Sequence, residues 1–203
     1  MLSMTKTCLL LIDLQNDFLP GGALAVPGGN QVISVANELM RDFDIVIASQ
    51  DWHPSNHGSF VSQHPERKIG DTFLWNGALQ VVWPDHCVQG TYGAAFPPEL
   101  DVSKVSHLIT KGEDPNVDSY SAFFDNAKRR ATRLHALLQS LEIVAIHVMG
   151  LATDYCVQAT VLDALELGYQ VTLHTKGCRG VEIRQGDCIK AIEKMALHGA
   201  EVL

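Results

Sequence analysis

The stretch Gly150-Leu-Ala-Thr-Asp-Tyr-Cys156-Val follows the apolar run 143–149 and leads into 154–167, whose spacing reads as a helix. A strand that stops at glycine, with a cysteine in the first turn of the next helix, suggests nucleophilic chemistry. The helix N-terminus carries unpaired backbone N–H groups and positive partial charge. A thiol placed there is expected to have a lowered pKa and to attack carbonyl carbon as thiolate. The competing reading is a buried cysteine packed as a small hydrophobe, the commoner fate of a free thiol. What favours the nucleophile comes from the rest of the chain.

Asp13 closes the apolar run 8–12, and Lys111 closes the run 105–110. A carboxylate so placed can take the thiol proton as general base. An ammonium beside both favours the thiolate and keeps the carboxylate ionised. Taken singly, Asp13 also suits a helix cap or turn, and Lys111 a solvated strand end. In Asp51-Trp-His53, two metal-ligand types sit on alternate residues, which project to one side of an extended segment. His86, within Trp83-Pro-Asp85-His86-Cys87, could complete a three-ligand set with open positions. His57 is a further candidate, as a ligand or as a donor that orients one. Asp85 suits loop hydrogen bonding. One divalent transition metal is expected on these mixed oxygen and nitrogen donors, zinc first, with iron and manganese also fitting. Ordinary loop polarity is the alternative for so short a match. Phe18, Trp83 and Tyr120 are spaced to sandwich a flat ring beside the metal, or to act as packing.

These groups need elements to position them. Strands are expected at 8–12, 44–48, 105–110, 142–148 and 169–174, with a short last one at 200–203. Helical spacing covers 30–41, 126–140, 154–167 and 188–198. Near-continuous apolar strands separated by helices imply a three-layer α/β/α sandwich with a mainly parallel sheet of about six strands. In such a sheet ligands bind beyond the carboxyl ends of the strands. Asp13, Asp51 with His53, Lys111 and the Gly150–Cys156 turn all fall there. The irregular stretch 51–99 is too long for a plain connection and is expected to be functional; 114–125 is a shorter second one. No repeat or linker divides the chain, so residues 1–203 read as one domain.

The formal net charge of -8 argues against a nucleic-acid partner. No G-x-G-x-x-G or Walker pattern supports a nucleotide. The run 8–12 is too short to span a bilayer and Asp13 interrupts it, so no membrane partner is expected. The residues before it lack the features of a signal peptide, and a cytoplasmic location is expected. Five scattered cysteines without a C-x-x-C pair suggest reduced thiols rather than disulfides or a structural zinc cluster.

With these residues in view, the sequence resembles the nicotinamidases of the isochorismatase-like cysteine hydrolase superfamily. The match runs over nearly the whole chain, through Leu9-Leu-Leu-Ile-Asp13-Leu-Gln-Asn-Asp-Phe18, Ser49-Gln-Asp-Trp-His53-Pro, Trp83-Pro-Asp-His86-Cys and Gly150-Leu-Ala-Thr-Asp-Tyr-Cys156-Val. The D-W-H-P and W-P-D-H-C blocks are more particular to nicotinamidases than the other two, which mark the superfamily. The resemblance implies an isochorismatase-like fold, an Asp13–Lys111–Cys156 triad, and a metal on Asp51, His53 and His86. It leaves open whether His57 or Ser59 completes the metal shell. It further implies a cis Leu151–Ala152 peptide, with the Ala152 and Cys156 N–H groups forming an oxyanion hole.

The expected function is hydrolysis of nicotinamide to nicotinate and ammonia through a cysteine thioester, in NAD salvage. The ring nitrogen would sit on the metal, with Phe18, Trp83 and Tyr120 lining the ring. The nearest alternative is a superfamily amidase acting on a carbamoyl or aliphatic amide, which needs neither metal nor ring clamp. A non-enzymatic metal-binding module is the other class, since fold alone assigns no function. A homo-oligomer is compatible with the sequence, which does not determine assembly.

Overall fold

β1 (Thr7–Ile12) is the strand around which the others are laid in the computed structural model, which describes residues 6–203. Its side chains from Cys8 to Ile12 are all wholly buried, and burying each large aliphatic one contributes about 1.5–3 kcal/mol. An unbroken apolar run of this kind suits a strand covered on both faces. The remaining sheet strands are β2 (Val46–Asp51), β5 (His107–Lys111), β6 (Ala145–Leu151), β7 (Gln170–Arg179) and β8 (Glu201–Val202). The six lie in the order β5-β2-β1-β6-β7-β8, and every pairing is parallel. Helices α1 (Gln31–Leu39), α2 (Leu134–Ser140), α3 (Gln158–Glu166) and α4 (Asp187–Leu197) complete the α/β/α layers. Strand order proceeds one way from β1 through β2 to β5 and the other way from β6 to β8. The direction therefore reverses between β1 and β6, where open α/β sheets place their ligand crevice.

Gly150 shows how closely the two strands at that crevice approach. It pairs with Ile12 at φ +136, and a Cβ there would lie 2.2 Å from the Ile12 carbonyl oxygen. Only glycine fits so near a neighbouring backbone.

The expected helix over 126–140 is a correction. Only Leu134–Ser140 is helical. Before it the chain turns back on itself, with Lys128 at φ +51 and the Asp125 carboxylate accepting the N–H groups of Arg129 and Arg130. A side chain that caps backbone donors in this way competes with the helix. The irregular stretch 51–99 contains a hairpin, β3 (Thr72–Trp75) and β4 (Ala78–Val81). Its turn, Asn76-Gly77, has both residues at positive φ, the pattern of a two-residue primed turn. β7, expected over 169–174, continues to Arg179, with a register irregularity opposite Val148 to Gly150. Residues 1–5, part of the segment read as lacking signal-peptide features, lie outside the described residues. Among those described, no helix is long and apolar enough to cross a membrane.

Candidate active site

Four adjacent strands end at one edge of the sheet, and each delivers a group. β1 ends at Asp13, β2 at Asp51, β5 at Lys111, and β6 runs through Leu151 into Cys156. Asp51 and Lys111 are register partners across β2 and β5. All four side chains are buried.

The Lys111 ammonium is the hub. Its Nζ lies 2.9 Å from Asp13 Oδ2 and 3.4 Å from Cys156 Sγ, and it donates to the Ser119 carbonyl at 2.9 Å. It also hydrogen-bonds Asp51 Oδ1. Burial alone would favour neutral lysine, but Asp13 and Asp51 outweigh it and push the ammonium well above its ordinary pKa. Asp13 is fixed by Ser49, whose hydroxyl donates to Oδ1 at 2.6 Å. Asp13 Oδ2 is ion-paired with the Lys111 ammonium at 2.9 Å. That oxygen keeps a lone pair available for a proton. Burial also raises the Asp13 pKa, against the lowering effect of Lys111, and so makes it a stronger base than an ordinary aspartate.

Cys156 departs from the sequence expectation in one respect. Burial pushes its thiol well above the ordinary value; Lys111 lowers it, while Asp13 and Asp51 raise it further. The resting group is therefore a thiol, and the helix start does not make it a standing thiolate. The local backbone is also not a plain first α-turn. Thr153–Val157 is wound as a π-turn, with the Val157 and Gln158 N–H groups donating five residues back to Ala152 and Thr153. Such bulges concentrate at functional sites. The Leu151–Ala152 peptide is cis.

Beside this group, Asp51 Oδ2 faces two imidazoles, His53 Nε2 at 3.7 Å and His86 Nε2 at 3.9 Å. Each ring's other nitrogen meets a backbone carbonyl: His53 Nδ1 donates to Gly112 at 2.8 Å and His86 Nδ1 to Pro84 at 2.7 Å. With Nδ1 protonated, both Nε2 lone pairs point at a carboxylate oxygen. Three buried acceptors turned on one another call for a cation, and carbonyl-held imidazoles are how proteins orient metal ligands. Charge agrees. Asp13, Asp51 and Asp118 are buried carboxylates beside a single buried ammonium, leaving two formal negative charges that a divalent cation neutralises. Asp51, His53 and His86 thus fit a divalent metal ion.

His57 is turned differently. Its Nδ1 meets the Ser59 hydroxyl at 2.8 Å and accepts from the Ser59 N–H, while Nε2 lies 3.4 Å from the Val117 carbonyl. Burial and then His53 hold its pKa down to about 4, so the ring is neutral. Ser59 is spent on His57. His57 packs against His53 with ring centroids 4.3 Å apart.

The aromatic groups line a small cavity between these two clusters, together with Asp51, Asp118, Ala152, Cys156 and Val181. Phe18 lies 5.6 Å from His86, centroid to centroid, and the Tyr120 hydroxyl accepts from Trp83 Nε1 at 3.1 Å. Tyr155 and Asp118, both lining the cavity, escaped the sequence reading. Tyr155 sets its ring edge-on to Trp83 at 4.9 Å, and its place beside Cys156 at a helix start was the available signal. Asp118 accepts from Gln80 Nε2 at 2.8 Å. Nothing in the local spacing of Asp118 points to the site, because strands and turns far apart in sequence bring it there.

Residues 7–203 match the family model described as "Isochorismatase domain". The chain is 52% identical over 201 residues to a nicotinamidase of Escherichia coli (strain K12), covering 97% of this chain and 94% of that one. Among solved structures it superposes on an Acinetobacter baumanii nicotinamidase pyrazinamidease with a TM-score of 0.95, at 36% identity over 99% of this chain and 97% of that one. A pyrazinamidase of Pyrococcus horikoshii in complex with zinc gives 0.77, at 33% identity over 98% of each chain.

Proposed function

The chain belongs to the isochorismatase domain family, and from that premise we propose that it hydrolyses nicotinamide to nicotinate and ammonia, feeding NAD salvage. The observation that carries the assignment is the Lys111 ammonium, which touches the thiol, the base and the metal-facing carboxylate at once. It joins a nucleophile to an aromatic-walled cavity flanked by metal donors. A carbamoyl or aliphatic amidase would need neither the donor set nor the aromatic walls.

Cys156 Sγ attacks the carboxamide carbon as Asp13 Oδ2 takes the thiol proton. Because the thiol rests protonated, this transfer must accompany the attack, and a buried base with a raised pKa suits it. Lys111 stabilises the negative charge that shifts from carboxylate to sulfur and back. The Ala152 and Cys156 N–H groups receive the developing oxyanion. Asp13 passes its proton to the departing ammonia, leaving a thioester. It then takes a proton from water, which cleaves that thioester and frees nicotinate and the thiol. Asp51, His53 and His86 would hold a divalent metal, zinc by preference for this donor set. When bound, the metal supplies a Lewis-acidic anchor for the ring nitrogen. Phe18, Trp83 and Tyr120 fix the ring so that binding energy is used for orientation. His57, held by Ser59, packs against His53 and supports it from behind. Residues 1–203 act as one hydrolase domain, with 51–99 supplying metal and substrate contacts.

The test is ammonia release from nicotinamide with and without a chelator, with Cys156→Ala as control. Release by the native chain, its loss on chelation with recovery on adding zinc, and at least about a thousandfold loss in the variant are expected. Metal-replete protein that releases no ammonia overturns the substrate assignment.

A further inference from the structure

Gln80 is buried although it sits on the β3–β4 hairpin, whose Leu74 and Leu79 are 73% and 78% exposed. A polar side chain turned inward from so exposed a ribbon needs partners, and it has them. Its Nε2 lies 2.8 Å from Asp118 Oδ2, 2.9 Å from the Val81 carbonyl and 3.2 Å from the Tyr120 hydroxyl. The first two are pure acceptors, which fixes the amide with its NH₂ toward Tyr120; the flipped amide would set oxygen against a carboxylate. Two N–H bonds serve three acceptors, so the longest contact, to Tyr120, is a shared one.

The consequence falls on the Tyr120 proton. Its oxygen already receives the Trp83 indole N–H at 3.1 Å and now the Gln80 amide as well. A phenol oxygen that accepts from two donors has one direction left for its own hydrogen. Among the described residues no acceptor meets it, and the side chain lines the cavity shared with Cys156 and His86. Burial, with Asp118 adding to it, keeps the phenol protonated far above its ordinary range.

We propose that Gln80 is a positioning residue that aims the Tyr120 hydroxyl into the substrate cavity, where it donates to an acceptor atom of the bound heteroaromatic amide. This rests on the nicotinamide assignment and gives the hairpin a part in substrate recognition. Without the amide, Tyr120 regains a free lone pair, its hydroxyl rotates, and the donor is lost from the cavity while the nucleophile and base stay in place.

Ammonia release is measured across nicotinamide concentrations for native protein, Gln80→Leu, Gln80→Met, Tyr120→Phe and the double variant Gln80→Leu/Tyr120→Phe. Gln80→Met keeps the side-chain length and serves if Gln80→Leu fails to fold. With the ring nitrogen assigned to the metal, the acceptor is the amide oxygen, whose charge grows in the transition state, so kcat/KM falls about tenfold in each single variant. Residues acting through one hydrogen are non-additive, so the double variant matches Tyr120→Phe alone. A native kcat/KM in the Gln80 variants overturns the proposal. So do effects that multiply in the double variant, which a merely structural role would give. Native protein that releases no ammonia overturns the nicotinamide assignment and this inference with it; normal native turnover with unaltered variants overturns this inference alone.

Discussion

Asp51 meets Lys111 through one carboxylate oxygen and keeps the other for His53 and His86. The carboxylate is therefore common property of the triad and the metal set. Burial works against its ionisation, but the Lys111 ammonium outweighs that and holds its pKa far below the usual carboxylate range. Loading the metal and holding the lysine are consequently not separable by any change at this residue.

Asp51→Asn should fail in a way that His86→Asn does not. Both variants lose metal, but only the first also loosens Lys111 from its place beside Asp13 and Cys156. Excess zinc should restore part of the ammonia release to His86→Asn and little to Asp51→Asn. Removing one partner of a buried ion pair should also cost Asp51→Asn about 3–5 kcal/mol of stability, against less for the other. Metal content by elemental analysis, with melting curves on the same samples, decides it; equal rescue of both would show that Asp51 acts on the metal alone.

Gly112→Ala should weaken metal binding without touching a ligand. At φ +70 an added Cβ is strained, and it would lie 2.4 Å from His53 Cε1 and 2.6 Å from Nδ1. The ring must tilt, breaking its bond to the Gly112 carbonyl. Losing such an orienting bond typically costs about 10–100-fold in affinity. Zinc titration by calorimetry reads this directly, and an unchanged affinity would mean that the ring can tilt without leaving its alignment.

Stability should fall on mild acidification through a pair remote from the site. His147 Nδ1 and His174 Nε2 lie 2.9 Å apart on neighbouring strands, with the rings stacked. Burial lowers both pKa values; His147 adds to the lowering at His174, and Glu201 opposes it at each. A histidine whose folded pKa is depressed binds fewer protons than in the unfolded chain. Its stabilising contribution is whole above about pH 6.5 and is lost as pH falls through the folded values. Melting temperatures from about pH 7.5 down to about pH 5.5 should decline, and less steeply in His147→Gln. Parallel curves would remove the pair from the explanation.

Much of this was legible in the sequence because the chemistry sits at strand ends, and parallel strands announce themselves as apolar runs. Asp13, Asp51, Lys111 and the turn before Cys156 each close such a run, so their shared edge followed from the sheet class. The 126–140 stretch misled because its helical spacing carried no mark of Asp125 reaching forward to cap Arg129 and Arg130. The hairpin could have been found, since Asn76-Gly77 is a strong local turn signal. Gln80 could not. Its importance arises only when Asp118 and Tyr120, from a distant turn, close on it. The direction of the Cys156 shift was hidden for a similar reason: a helix start is visible in sequence, but the depth at which the thiol is buried is not.

The sheet order has a kinetic consequence. The reactive groups come from residues 13, 51, 111 and 156, yet they stand side by side because β5, β2, β1 and β6 are neighbours. Every pairing that gathers them closes a long loop, and such contacts form late and slowly. No early collapsed intermediate with only β1 and β2 joined can bring thiol, base and ammonium together. Catalytic competence in this chain is thus a property of the finished sheet, and regain of activity on refolding reports the last strand to dock rather than the first.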